Sequence, residues 1–175
     1  MSILKVARMG HPVLRQQGRP LQGSDLRSPH VQKLIDDMID TMREYSGVGL
    51  AAPQVHEELR LFVALLAEDP DEGTAASVIV NPEIVPNASI RQDGWEGCLS
   101  IPDIRGLVPR LTDITVRALD RDGRPIELRL KDFPARIVQH ETDHLDGVLF
   151  LDRMTSMQSL TYLEEYSRYH ADERD

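Results

Sequence analysis

The sequence predicts an α+β fold, with antiparallel β-sheets packed around a central helix, one further helix in the N-terminal half and another at the C-terminus. Several strand-like segments precede a late helix without regular strand–helix alternation, which favours α+β over a doubly wound parallel sheet. A turn-forming sequence joins two of these segments as a hairpin. The 175 residues contain no repeat or linker, so we expect a single domain over residues 1–175.

The composition is ordinary for a globular protein, with 41% hydrophobic residues and a formal net charge of −9. This charge argues against binding DNA or other nucleic acids broadly through their phosphates. The longest apolar run, residues 61–67, is too short to span a bilayer, and the first residues carry no secretion signal. We therefore expect a cytoplasmic protein with no membrane partner.

The first long helix is predicted from residue 29 to about residue 45. The chain before it is punctuated by glycine and proline, which indicates an irregular arm. Ser28 is a candidate N-cap, and Pro29 suits the first helical position. One apolar stripe recurs at helical spacing: Val31, Leu34, Ile35, Met38, Ile39 and Met42. This stripe indicates a helix that packs on the core.

Strands are predicted next, over residues 60–66, 77–80, 84–90, 108–119 and 125–133. An acidic turn at residues 68–73 separates the first two strands, and Asn81-Pro82 separates the second from the third. Asp93-Gly94 is expected to turn the chain into the segment around Cys98. Residues 121–124 have a good turn sequence and should close the last two strands into a hairpin.

Two helices complete the predicted fold. Pro134 should begin the central one, and Gly147 suits the left-handed position that ends a helix. The final helix is expected over residues 156–169, with Met157, Leu160 and Leu163 facing inward.

The central helix carries His140-Glu141-Thr142-Asp143-His144, a His-Glu-x-x-His match. Its two histidines lie four residues apart on one helix face and can share a divalent metal. Such a metal acidifies a bound water, and Glu141 can accept the water's proton. The alternative is a solvated helix face that happens to be rich in His and Glu. A third ligand decides between the two interpretations, because a catalytic metal site needs three protein ligands.

Two kinds of residue are candidates for the third ligand. Glu164 or Glu165 would give the arrangement of the zinc proteases, although both residues also fit the exposed face of the last helix. Cys98 offers a thiolate, which favours zinc, iron or nickel over magnesium or calcium. Gly97 lets the chain turn sharply beside the sulfur, so the local sequence favours Cys98.

Three segments carry a family resemblance, and they stand in one order along the chain: Gly47-Val48-Gly49-Leu50-Ala51-Ala52-Pro53-Gln54, Glu96-Gly97-Cys98-Leu99-Ser100 and Gln139-His140-Glu141-Thr142-Asp143-His144. With these motifs the chain resembles the peptide deformylases. The likeness covers most of the sequence, from His11-Pro12 to Asp146-Gly147. Three ordered motifs are far more specific than one short pattern.

The resemblance implies a metal-dependent hydrolase that removes the N-terminal formyl group from formylmethionyl nascent polypeptides and releases formate. It implies that Cys98, His140 and His144 bind one divalent metal. Fe²⁺ is the expected native ion, and Zn²⁺, Ni²⁺ or Co²⁺ can substitute. Glu141 would be the general base toward the metal-bound water, whose hydroxide attacks the formyl carbon.

The resemblance also implies the residues around the reacting group. Gln54, through its side-chain amide, and Leu99, through its backbone N–H, would stabilise the oxyanion. Gly49 would lie against the substrate's main chain, which pairs as an added strand. The methionine side chain needs an apolar pocket, for which the candidate wall residues are Val48, Phe133 and Ile137.

The expected partners are N-formylmethionyl peptides and nascent chains, with transient contact to the ribosome. Some family members dock there through a basic C-terminal helix. Residues 157–175 of this chain are acidic instead, and an acidic segment is repelled by rRNA phosphates. The C-terminal segment is therefore not expected to be the docking element.

Further residues have less certain roles in the sequence. Asp143 is a candidate acceptor for the second N–H of a ligating histidine. Glu96 and Arg105 could form either an ion pair that shapes the cysteine loop or an exposed salt bridge. No second ligand lies at useful spacing from the remaining histidines, which are His11, His30, His56 and His170.

Three other functions compete with deformylation. The first is a zinc peptidase that uses His140, His144 and Glu164. The second is a thiol enzyme with Cys98 as nucleophile and a histidine as base. The third is a peptide-binding relative without activity, against which the intact Glu141 and Gln54 argue. Metal analysis and a formate-release assay separate these functions.

Overall fold

The computed structural model describes residues 2–67 and 74–171 of the chain. Its helices are α1 (Gly23–Leu26), α2 (Pro29–Glu44), α3 (Asp132–Leu145), α4 (Phe150–Arg153) and α5 (Leu163–Tyr169). Its strands are β1 (Gly49–Ala51), β2 (Leu61–Ala64), β3 (Ser77–Pro86), β4 (Arg91–Cys98), β5 (Ile101–Leu111), β6 (Asp113–Leu119), β7 (Pro125–Lys131) and β8 (Thr161–Tyr162).

Two antiparallel sheets flank the helix α3. The larger has five strands in the order β1-β2-β3-β6-β7, and the smaller has the order β4-β5-β8. Helix α3 contacts β1 and β2 of the larger sheet and β5 of the smaller one. The predicted α+β class and the central position of the His-Glu-x-x-His helix are confirmed. No helix in the described part of the chain is long and apolar enough to cross a membrane.

Helix α2 forms where its sequence predicts. The Ser28 side chain accepts a hydrogen bond from Val31 N, and Pro29 occupies the first turn. Its apolar face is buried against β1 and β2 in one core cluster, with Ile35, Met38 and Met42 fully inaccessible. Burial of one such side chain contributes about 1.5–3 kcal/mol to folding.

Helix α3 ends as predicted, with Gly147 in the left-handed position just after its last turn. Val148 N donates to Asp143 O at 2.9 Å and Gly147 N donates to His144 O at 3.3 Å, the hydrogen-bond pair of a Schellman motif. Gly147 has φ +71°, and a Cβ there would lie 2.7 Å from the backbone carbonyl of Arg15. The helix begins at Asp132, two residues before the predicted Pro134.

The predicted strand break at Asn81-Pro82 and the predicted turn at Asp93-Gly94 are wrong, because both segments belong to strands. Strand β3 continues through Asn81-Pro82 to Pro86, with a register shift between Val80 and Glu83. Asn81 has φ +50°, and its side chain exchanges two hydrogen bonds with the backbone of Leu21. These bonds tie the irregular part of the strand to the N-terminal segment. Asp93-Gly94 lies inside β4 rather than at a turn.

The predicted strand over residues 108–119 is two strands of different sheets. Strand β5 ends at Leu111 after pairing with β4, and β6 begins at Asp113 in the larger sheet. Thr112 bridges the two, because its N–H donates to Ile90 O at 3.2 Å and its carbonyl accepts from Asp132 N at 2.9 Å. No glycine or proline stands between Arg110 and Leu119, so the sequence carries no strong turn signal at the change of sheet.

The prediction of one final helix over residues 156–169 is wrong. Only α5 is α-helical there, and a 3₁₀ turn and the short strand β8 precede it. Thr161 and Tyr162 pair with Arg105 and Ile104 of β5, and this pairing uses the backbone that a longer helix would need. Met157, predicted to face inward, is 61% exposed. The acidic turn at 68–73 and the last four residues lie outside the described part of the chain.

Candidate active site

Three side chains that could ligate a metal converge between the two sheets. Helix α3 presents His140 and His144 on one face, and Cys98 stands at the end of β4. One donor atom from each residue lies within 4.8 Å of the others, and all three residues are buried. Cys98 Sγ lies 3.2 Å from His144 Nε2.

The three groups change one another's ionisation. Burial alone would raise the pKa of the Cys98 thiol, but the adjacent His144 and His140 imidazoles lower it well below its ordinary value. Burial alone would lower the pKa of His140, but the Cys98 sulfur and the Glu96 carboxylate raise it well above its ordinary value. Both shifts favour a thiolate on Cys98 beside a protonated His140.

This donor set fits a divalent metal of borderline softness. One thiolate and two imidazoles are typical ligands of zinc and related transition metals, and three ligands leave a position open. The Nδ1 atom of His140 faces Glu96 Oε2 at 2.9 Å, which leaves its Nε2 for a metal. The competing ligands Glu164 and Glu165 lie on α5, where both pair with Arg168.

Glu141 points into the same cavity in an environment that opposes its charge. The residue is 4% exposed, and its Oε2 atom has no hydrogen-bond partner within the described part of the structure. Burial raises the pKa of Glu141 to about 7, against the lowering effect of His140 and His144. A carboxylate poised near neutrality and beside a metal site can act as a general base.

Gly49 makes room for the Glu141 side chain. A Cβ built on Gly49 would overlap Glu141 Oε1 and lie 2.7 Å from its Cδ and 2.9 Å from its Cγ. Any larger residue at position 49 must therefore displace the carboxylate.

Gln54 is fixed beside Cys98 by its own hydrogen bonds. Its Oε1 accepts from Ala51 N at 2.8 Å, which orients the amide. Its Nε2 then donates to Ser100 Oγ at 3.2 Å and approaches Cys98 Sγ at 3.5 Å. Gln54 is 1% exposed, so this donor is held in a buried position.

A buried network of charges supports His140, and sequence reasoning missed most of it. Glu96 accepts two hydrogen bonds from Arg110, at 2.9 and 3.0 Å, and one from Arg136 at 3.0 Å. Arg110 also donates to Asp143 at 2.6 Å. His140 and Arg110 lower the pKa of Glu96 well below its ordinary value, although burial would raise it. The Glu96 carboxylate is thus ionised and held toward His140.

Two suggested pairings are wrong. Asp143 does not reach a histidine, because Arg110 and Arg153 occupy its carboxylate. Arg105 does not pair with Glu96, and its guanidinium lies against Gly97, where a Cβ would be 2.7 Å from Arg105 Nε. Alternating strand positions explain the error, because Arg110 rather than Arg105 shares the inner face with Glu96.

The remaining candidates line one cavity of about 640 Å³. Around it stand Val48, Gly49, Leu99, Phe133 and Ile137, together with Cys98, His140 and Glu141. Ile137 is 4% exposed, whereas Val48 and Phe133 are 36% and 43% exposed. The sequence-predicted site residues thus line one cleft, except His144, which is buried beside Cys98, and the apolar candidates are spread from its depth to its mouth.

The other histidines lie elsewhere. His11 and His56 contact each other, with ring centroids 4.7 Å apart, and the His11 side chain caps a 3₁₀ turn. The His170 ring lies tilted against Trp95, with ring centroids 5.0 Å apart. None of them belongs to the metal-binding group found among the described residues.

Comparison with known proteins identifies the family that shares this site. The profile of the polypeptide deformylases matches residues 3–160. The chain belongs to the polypeptide deformylase family. Deformylases are metal-dependent hydrolases that remove the formyl group from N-terminal formylmethionine, and this chain is an enzyme of that kind.

Individual deformylases are similar over nearly the whole chain. Peptide deformylase 2 of Nostoc sp. is 43% identical over 168 residues, which are 94% of this chain and 93% of the relative. A deformylase of Acinetobacter baumannii bound to Met-Ala-Ser is 41% identical, with a TM-score of 0.81 over 87% of this chain and 99% of that one. The deformylase of Thermotoga maritima is 36% identical, with a TM-score of 0.80 over 89% and 100%.

Proposed function

We propose that Cys98, His140 and His144 hold the metal of this deformylase, within a single catalytic domain over residues 1–175. The convergence of their three donor atoms within 4.8 Å is the observation that carries the proposal. The resemblance to the deformylases makes Fe²⁺ the proposed native ion, and a set of one thiolate and two imidazoles also accepts Zn²⁺, Ni²⁺ or Co²⁺.

The surrounding residues supply the proton transfers and the oxyanion donors. A divalent metal contributes Lewis-acid chemistry, since it lowers the pKa of water and polarises a carbonyl oxygen. Glu141 accepts the proton of the attacking water and passes it to the leaving amine nitrogen. Gln54 Nε2 and the backbone N–H of Leu99 donate to the oxygen of the formyl group as negative charge develops there.

The substrate binds as an extended chain along the cleft. Gly49 places its main chain beside the peptide, and Val48, Phe133 and Ile137 enclose the methionine side chain. Binding of Met-Ala-Ser by the related Acinetobacter baumannii enzyme supports this assignment. Nascent chains that carry formylmethionine are the proposed partners, so a cytoplasmic location is part of the same proposal, as is transient ribosome contact through surfaces other than the acidic tail.

Formate release from formyl-Met-Ala-Ser tests the proposal. We expect the anaerobically purified protein to release formate, and Glu141→Ala to lose at least about a hundredfold in kcat, because general acid–base catalysis contributes that much. Elemental analysis should find the metal retained in Glu141→Ala and lost in Cys98→Ala. Undiminished formate release by Glu141→Ala would overturn the role of the base. Full metal content and activity in Cys98→Ala would instead favour the zinc-peptidase ligand set.

A further inference from the structure

The mouth of the cleft carries an excess of positive charge, in a protein whose formal net charge is −9. Lys5, Arg8 and Arg105 line the cavity, whereas Asp103 is the one exposed carboxylate among its lining residues. The two other lining carboxylates are buried, and they belong to the site described above. The local charge of the mouth is therefore opposite in sign to that of the whole chain.

The three cations have no carboxylate partner in the described part of the structure. Many other arginines do form ion pairs, such as Arg117 with Glu127 at 2.9 Å and Arg129 with Asp113 at 2.7 Å. Among the described residues Arg105 donates only to a backbone carbonyl, that of Ile104, at 3.0 Å. Unpaired cations grouped around a cleft produce a local field that attracts anionic ligands.

Both cationic segments flank the turn that follows Cys98. Ala7 N donates to Gln54 O at 2.7 Å, and Met9 N donates to Ser100 O at 2.8 Å, so the N-terminal segment that bears Lys5 and Arg8 is fixed beside this turn. From the other side, the Arg105 guanidinium lies against Gly97. Lys5, Arg8 and Arg105 thus line the same cavity as Glu141, and the residues that follow the formyl group occupy this cavity when a peptide is bound.

We infer that the cleft prefers formylmethionyl peptides with an acidic residue at the first or second position after methionine. This inference rests on the proposed function. The formylated N-terminus is uncharged. The peptide groups that interact electrostatically with Lys5, Arg8 and Arg105 are therefore the charged side chains that follow methionine. A single exposed ion pair contributes little to the free energy of binding. Several cations around one carboxylate contribute together, so their combined effect is larger.

Three amidated peptides test the preference: formyl-Met-Asp-Asp, formyl-Met-Ala-Ala and formyl-Met-Lys-Lys. Amidation removes the terminal carboxylate, so only the side chains differ in charge. We expect kcat/KM at low ionic strength to fall in that order by about three- to tenfold a step. The change should lie in KM, because these contacts are remote from the reacting atoms, and should shrink at 0.5 M salt.

Variants separate a local effect from net charge. Arg8→Glu should reverse or abolish the preference, whereas Arg27→Glu makes the same charge change outside the cleft and should keep it. Calorimetry of the products Met-Asp-Asp-amide and Met-Lys-Lys-amide gives a readout that does not depend on turnover. Equal kcat/KM for the three peptides, or equal effects of the two variants, would overturn the inference and leave the proposed function standing. No formate from any peptide would overturn both.

Discussion

Glu141 must satisfy two opposing requirements, which are access to a proton donor and burial in the site. A general base must be accessible to its proton donor, yet burial raises its pKa to about 7 and leaves Oε2 without a partner. This burial destabilises the folded state, because the ionised carboxylate loses its hydration. Residue-scale predictions therefore concern both stability and rate.

The first prediction concerns the metal-free protein. Glu141 has an ordinary pKa of 4.5 and a folded pKa of about 7, so the unfolded chain releases this proton first as the pH rises. The free energy of unfolding should fall between pH 4.5 and 7 and stay low above that window. Glu141→Gln should therefore be more stable than wild type at pH 8, by on the order of 3 kcal/mol, with the difference vanishing near pH 4.5. Urea denaturation across this pH range measures the difference in the free energy of unfolding. A difference that does not depend on pH would refute the prediction.

The second prediction concerns the space at Gly49. In Gly49→Ala the added Cβ must displace the Glu141 carboxylate, so kcat should fall by roughly a hundredfold. The affinity for the product Met-Ala-Ser should change little, because the added methyl group points at Glu141. Gly23→Ala is the matched control, since its Cβ would meet only Arg27, at 4.0 Å. A loss of product affinity equal to the loss of kcat would show that position 49 acts on the peptide instead.

At the scale of secondary-structure elements, the role of helix α3 depends on the contacts that fix its position. Gln139 exchanges hydrogen bonds with the backbone of Leu111 at 2.9 and 3.0 Å, which ties the helix to the end of β5. Arg110 of β5 joins Glu96 of β4 to Asp143 of the helix. The hairpin that carries Cys98 is thus bonded to the helix that carries both histidines.

Arg110→Met tests this connection. Removing the guanidinium leaves buried carboxylates short of partners, so we expect the free energy of unfolding to fall by about 3 kcal/mol. His140 also loses a well-held acceptor, so metal affinity should fall by roughly tenfold to a hundredfold. Denaturation and competition with a chelator measure the two effects. Arg117→Met, at the exposed pair on β6, should change neither quantity, and an equal response of both variants would contradict the network's role.

The sequence predicted the elements that local signals define. Ser28 and Pro29 begin α2, Gly147 ends α3, and the spacing of His140 and His144 places both on one face. It did not predict the bulge at Asn81 or the change of sheet at Thr112, because partners distant in sequence determine both. Arg110 was missed for the same reason, because its role depends on β5 lying between Glu96 of β4 and Asp143 of α3. Motifs therefore located the site, while long-range pairing determined what supports it.

At the scale of the whole molecule, the cleft lies between the edges of two sheets. Within the described residues β1 pairs only with β2 and β4 only with β5, so each has one unpaired edge. Gly49 of β1 and Gly97 of β4 both line the cavity. An unpaired strand edge is a template for an added strand, and here two edges face one space.

This geometry predicts that the substrate's backbone, and not only its methionine, is recognised. Formyl-Met-Ala-Ser with an N-methyl group on the alanine amide loses one donor toward a sheet edge. One lost hydrogen bond costs about 1 kcal/mol, so kcat/KM should fall about fivefold or more. An ester at the same position removes the donor without adding bulk and is the control for steric effects. Unchanged kcat/KM for the ester would mean that side-chain contacts alone hold the peptide between the two edges.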